Sequence, residues 1–142
     1  MVVKTPVLMV AVAVCVAATV GAYFILDFSG DEKTAFVSVS TDNTSYRSRE
    51  IMIITVSVDY PGYLNDTLVR VRGITNSRGL DLVDKEKNAN LTPGANNINF
   101  SYTIPSCSKC SGISQGTYYI NASVIQGNLT IGRANHTIVI EG

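Results

Sequence analysis

Cys107 and Cys110 stand with only Ser108 and Lys109 between them, a spacing that serves three chemistries. A reactive dithiol of this kind works at the N-terminus of a helix in a βαβ setting, where the helix dipole lowers the thiol pKa. A structural zinc takes four ligands, and one chain offers Cys107, Cys110 and its single histidine, His136. The third chemistry is a disulfide, which an oxidising compartment favours. The pair lies between two stretches of alternating apolar residues and is followed by Ser-Gly and Gln-Gly. No helix is expected there, so the expectation is a Cys107–Cys110 disulfide pinching a short loop. By the chain-entropy relation so small a loop gains only about 2 kcal/mol. It would shape the loop more than hold the fold.

Other residues capable of chemistry are few. His136 sits in a β-patterned stretch beside Asn135, which fits a hydrogen-bonded strand histidine better than a general base. Asp81, Asp84 and Glu86 lie close enough to suggest calcium. They lack the alternating oxygens of an EF-hand loop, and Lys85 and Lys87 dilute their charge. Tyr46, Tyr60, Tyr63 and Tyr119 would make a sugar-stacking platform only if they met on one surface. The chain has no G-x-S-x-G, Walker A loop, H-E-x-x-H or G-x-G-x-x-G. The expectation is therefore no enzyme, no cofactor, no metal and no small-molecule substrate. The 11 basic and 11 acidic residues cancel, without the basic stripe of a nucleic-acid binder.

Asparagine supplies the remaining motif. Seven N-x-Ser/Thr acceptor sites occur, at Asn43, Asn65, Asn90, Asn99, Asn121, Asn128 and Asn135. The 11 Asn of residues 29–142, in a region with 24 Ser or Thr among 114 positions, would give roughly two such sites by random placement. The excess points to an exported surface carrying N-linked glycan.

The N-terminal segment points to export too. Val7 to Leu26 is 20 residues without a charge, long enough as a helix to cross a hydrocarbon core of roughly 30 Å. Lys4 precedes it, whereas Asp27, Asp31 and Glu32 follow. The positive-inside rule then puts the N-terminus in the cytoplasm and the rest outside the cell. The competing reading is a secretory signal peptide cleaved near Val20-Gly21-Ala22, giving a secreted protein. Cys15 reads as a buried apolar residue, since Val14 before it is too large for a lipoprotein site. The expected organisation is an anchor over residues 1–28, a juncture over 29–33, and one extracellular domain over 34–142.

In that domain the apolar period is two. Val37 and Val39 alternate with serines, with Phe36 as the other option for the buried side. Met52, Ile54, Val56, Val58 and Tyr60 share one face. Val69 and Val71 point inward between the outward Arg70 and Arg72. Leu80 and Leu82 mark a short strand, after which a charged, Asn-rich loop is expected as far as Thr92-Pro93-Gly94. Further strands bury Ile98, Phe100, Tyr102 and Ile104, then Tyr118, Ile120, Ala122 and Val124, and finally Ile138 and Ile140. About seven short strands separated by turns predict an all-β, antiparallel sandwich of two sheets. In this register none of the seven acceptor asparagines falls on the inner face.

The stretches "LTPGANNINFSYTIP" and "CSKCSGISQGTYYINASV", with the Ile-rich final strand, resemble small single-pass archaeal surface proteins that carry one immunoglobulin-like domain of CARDB or FnIII type. The resemblance spans about half of the outer domain. It implies a β-sandwich used outside the membrane for cell-surface structure or binding, and it carries over no catalytic residue. The leading expectation is a membrane-tethered, glycosylated module that meets an envelope protein, a surface-layer lattice or another copy of itself. Contact would run through end loops or through the edges at "AFVSVS" and "HTIVI". One alternative is a surface-filament subunit, pilin-like or similar to the archaeal filament stator, although "MVVKT" is a poor pilin leader. Another is an accessory subunit of an extracellular enzyme or transporter.

Overall fold

The computed structural model describes residues 34–107 and 112–142. The anchor, the juncture and Cys110 lie outside the described residues. Eight strands and no helix occur within them. They are β1 (Phe36–Thr41), β2 (Ser45–Tyr46), β3 (Ile51–Tyr60), β4 (Leu64–Thr75), β5 (Asp81–Leu91), β6 (Gly94–Thr103), β7 (Gly116–Gln126) and β8 (Leu129–Ile140). One sheet runs β1-β3-β6 and the other β2-β8-β7-β4-β5. All pairings are antiparallel except the short parallel contact of β2 with β8. This is the strand arrangement of an immunoglobulin-like sandwich, in which the chain crosses repeatedly between two packed sheets.

The core is made by parity. β3 buries Met52, Ile54, Val56 and Val58 completely, each contributing roughly 1.5–3 kcal/mol of transfer free energy. They face Val69, Val71, Ile120, Val124 and Ile138 from the opposite sheet, with Ile98 and Phe100 beside them on β6. Phe36 stays exposed while Val37 and Val39 go inward. Tyr102 and Tyr118 are only partly buried. The Tyr118 hydroxyl turns back to the chain, donating to the Ser114 carbonyl at 2.8 Å and accepting from the Ser114 N–H at 3.1 Å. That is the corner by which immunoglobulin-like domains fix the entry of this strand. Two residues on, Ile120 is fully buried at the position where antibody domains place a core cysteine. Here that position is filled by an aliphatic side chain instead.

The stretch after Leu82 departs from expectation. It is not a loop but the body of β5, which continues to Leu91. Its buried apolar residues are Val83 and, at its far end, Leu91, whereas Leu80 is exposed and Leu82 half-buried. Lys85 and Lys87 stand opposite the inward Val71 and Val69, so their aliphatic stems continue the inner face while their charges reach the rim. Lys87 Nζ donates to the Asn99 carbonyl on β6 and lies 5.3 Å from the centre of the Phe100 ring. A charged edge strand of this kind looks like a loop in sequence because its inner face carries lysine instead of valine.

The side where β8 meets β1 is closed by a bulge. Val124 pairs with Gly132 but Ile125 with Thr130, which leaves Ile131 unpaired and its carbonyl free to accept the Ala35 N–H at 3.1 Å. Gly132 makes this approach possible: a Cβ there would lie 2.3 Å from Val37 Cγ2 and 3.0 Å from the Ala35 oxygen. Gly132→Ala should therefore cost about 1–3 kcal/mol in a urea titration. Gly62→Ala, whose Cβ would meet only Tyr60 Cε1 at 3.5 Å, should stay within about 0.5 kcal/mol of the parent.

Candidate functional site

All seven acceptor asparagines are exposed, and strand parity places them. Asn99 lies on the outer face of the three-stranded sheet. Asn121 and Asn135 lie on the outer face of the five-stranded sheet, paired directly across β7 and β8. Asn128 occupies the tight β7–β8 turn with Gly127, whose φ of 59° suits glycine. Asn43, Asn65 and Asn90 sit at strand ends or in connections. Where these side chains bond, they use the oxygen. Asn90 Oδ1 accepts the Asp66 N–H at 3.1 Å, and Asn99 Oδ1 accepts the Thr55 hydroxyl at 2.9 Å. An N-glycosidic bond at Nδ2 would leave both contacts in place. Asn96, which is no acceptor site, instead spends its Nδ2 on the carbonyls of Val58, Thr92 and Gly94.

The outer face of the five-stranded sheet carries the polar grouping with the most functional content. Across it, Asp84, Arg72, Asn121 and Asn135 form one row on four neighbouring strands. Glu86, Arg70, Ser123 and Arg133 form the next. Arg70 holds Asp84 through two hydrogen bonds of 2.8 and 3.0 Å, and hydrogen bonding to Arg70 lowers the Asp84 pKa against the opposing effect of desolvation. Arg72 Nε adds contacts of 3.5 Å to Asp81 and 3.6 Å to Asp84. The carboxylates considered for calcium thus lie along a strand, with Asp81 and Asp84 engaged by arginine. Among the described residues no three His, Cys, Asp or Glu side chains are grouped to hold a metal. Beside the arginines, Arg72, Asn121, Ser123, Arg133 and Asn135 line a shallow depression of about 420 Å³.

The remaining candidates are dispersed. Tyr46 and Tyr60 are buried, while Tyr63 and Tyr119 are 76% and 61% exposed. Tyr63 precedes β4 and Tyr119 lies beyond the level of Gly73 near its other end, roughly 30 Å along the strand. The four make no common platform. His136 Nε2 lies 3.0 Å from Thr41 Oγ1, whose own proton goes to the Asn43 carbonyl at 2.7 Å. The ring is therefore the donor, tying β8 to β1. Cys107 is half-buried, its N–H donating to Ser48 Oγ at 3.1 Å, in a connection flanked by the buried Ile104 and Ile113. Its expected partner Cys110 is outside the described residues. Sequence reading missed the arginine–asparagine grouping, because its members are brought together only by strand register.

With this geometry in place, comparison with known proteins is informative about architecture. No protein-family model and no curated protein matches the chain. A crystal structure of the CARDB domain of a Pyrococcus furiosus protein, in complex with di-metal ions, superposes with a TM-score of 0.55 at 17% identity, covering 75% of this chain and 87% of that one. A solution structure of the same domain gives a TM-score of 0.55 at 19% identity, with 75% and 94% covered. Red sea bream transglutaminase gives 0.56 at 14% identity, over 75% of this chain but only 15% of that enzyme. The likeness is one of fold. The domain is a CARDB-like, immunoglobulin-type sandwich, and such sandwiches also occur as parts of large enzymes, so fold alone assigns no activity.

The end of the domain near β2 carries a part-buried polar contact. The Tyr46 hydroxyl donates to Asp42 Oδ1 at 2.6 Å and accepts the Asn43 N–H at 2.8 Å, and the Ile53 N–H reaches the same carboxylate oxygen at 2.9 Å. Desolvation raises the Asp42 pKa, but the bonds from Tyr46 and from the Ile53, Asp42 and Asn43 amides outweigh it and hold the group below its ordinary value. A depressed folded pKa adds stability above the unfolded value, near 3.9, that is lost as pH falls through the folded one. The urea midpoint should therefore fall more in the parent than in Asp42→Asn on going from about pH 6 to about pH 3.

Proposed function

We propose that the chain is an exported, sugar-bearing binding or scaffolding module of the cell envelope, held to the membrane by residues 7–26, and not an enzyme. The observation that carries this reading is the disposition of the seven acceptor asparagines. Each is exposed, and none commits its Nδ2 to a protein acceptor among the described residues. Glycan attached at these positions would leave the core and the ladders undisturbed. A CARDB-like sandwich suits the role, since such domains meet partners through end loops or sheet edges. The di-metal ions of the Pyrococcus domain are not carried over, and the partner in this reading is another envelope protein, a surface lattice or a second copy.

Intact mass of protein purified from its native membrane, before and after chemical deglycosylation and with and without reductant, tests the proposal. The expected result is a mass above that of the polypeptide by several glycan increments, with Met1 retained. Reductant followed by alkylation should add two more labels than alkylation alone. Bare asparagines, together with resistance of the domain to protease added to intact cells, would overturn it.

A further inference from the structure

We propose that Asn121 and Asn135 form one modification site instead of two: Asn135 carries the glycan, and Asn121 stays bare as part of the surface on which its first sugar lies. This deepens the sugar-bearing reading above and rests on it. The two asparagines are directly opposed on β7 and β8 and both point outward. Opposed residues of an antiparallel pair have Cβ atoms about 4.5–5.5 Å apart, less than the width of a substituted pyranose ring. Two glycans rooted there would claim the same space.

Their surroundings choose between them. β7 is a central strand, so Asn121 has a neighbouring strand on both sides, with Asn135 opposite it on β8 and Arg72 opposite it on β4. β8 has no strand of its own sheet beyond it at Asn135, because β2 pairs only with Val139 and Ile140; β1, to which His136 ties β8 through Thr41, belongs to the three-stranded sheet, on the side opposite to the outer face that Asn135 takes. Asn135 is thus open on the side from which a transferase and the outer sugars must approach. In the transfer, Nδ2 bonds to the anomeric carbon of a lipid-phosphate-linked oligosaccharide, the bond from that carbon to phosphate oxygen breaks, and the amide proton leaves with the phosphate. The depression beside Asn135 then offers the Asn121 amide, the Ser123 hydroxyl and the Arg72 and Arg133 guanidinium groups, a set of donors and acceptors matched to sugar hydroxyls and an acetamido group.

Cleavage of the native protein after Lys109 gives fragment 110–142, which holds Asn121, Asn128 and Asn135 together. Fragmentation mass spectrometry of this piece should find glycan on Asn135 and none on Asn121, hence at most two glycans per fragment. Asn121→Gln should leave occupancy of Asn135 unchanged, and Asn135→Gln should move occupancy to Asn121, with unchanged glycans at Asn43 and Asn65 reporting normal export and folding. A single fragment bearing glycan on both residues, glycan on Asn121 alone in the parent, glycans elsewhere with neither residue used, or Asn121 still bare in Asn135→Gln would each overturn the proposal. A protein without glycan anywhere would instead remove the reading on which it rests.

Discussion

Every residue in a two-layer sandwich answers to one constraint: the pleat sends consecutive side chains to opposite faces, and only one face is dry. A shift of one residue in any of the long strands would expose the valines and isoleucines of the core and bury arginine, asparagine or serine in their place. In β3 the dry positions are Met52, Ile54, Val56 and Val58 and the wet ones include Thr55 and Ser57, which bond across to Asn99 and Asn97 on β6. The same parity that fills the core therefore delivers the polar rows of the outer faces. Surface chemistry here is a by-product of core packing.

The regular pattern is broken where the two sheets must be joined or their ends sealed. Ile131 leaves the ladder so that its carbonyl can reach β1. Gly73 lies where a Cβ would come within 2.2 Å of the Tyr119 carbonyl, so β4 and β7 can close on each other only because the side chain is missing. Tyr46 crosses from its two-residue strand into the core and spends its hydroxyl on Asp42 and Asn43. Arg49, at a φ of 71°, starts the return that lets Ile104 and Glu50 exchange backbone hydrogen bonds with the chain around them. The departures at Ile131, Tyr46 and Arg49 each satisfy a backbone group that a plain sandwich would leave unpaired.

Much of this was legible beforehand because apolar β-branched residues at every second position announce both strand and facing. β3, β6, β7 and the end of β8 follow that rule, and their buried residues could be named from sequence. β5 could not, because an edge strand need not be apolar on its inner side: Lys85 and Lys87 take the positions opposite Val71 and Val69 while staying exposed, and "DKEKNAN" has the composition of a loop. The polar grouping on the five-stranded sheet was hidden for a different reason. Arg72, Asn121 and Asn135 lie on three strands far apart in the chain, and nothing local encodes the register that aligns them. Parity is a local property; adjacency between strands is not.

The distribution of acceptor sites bears on how the proposed binding role would be carried out. Asn65, Asn90 and Asn128 cluster toward the end where β1 begins and where the β3–β4, β5–β6 and β7–β8 turns lie. Glycan at Asn99 and Asn135 would cover the middle of both outer faces. Two of the edges are partly engaged as well: Lys87 spans from β5 to a β6 carbonyl, and the end of β8 is taken by β2. Only Asn43 lies toward the opposite end, where Arg47, Arg49, the 76–80 turn and the loop bearing Cys107 are gathered. At its described flanks, the Cys107 N–H donates to Ser48 Oγ at 3.1 Å and the Gly112 carbonyl accepts the Ser77 N–H at 2.9 Å. With glycan over the faces, as proposed, a protein partner would find its least shielded surface at this end, which moves the weight of the proposed binding role from strand addition to loop recognition.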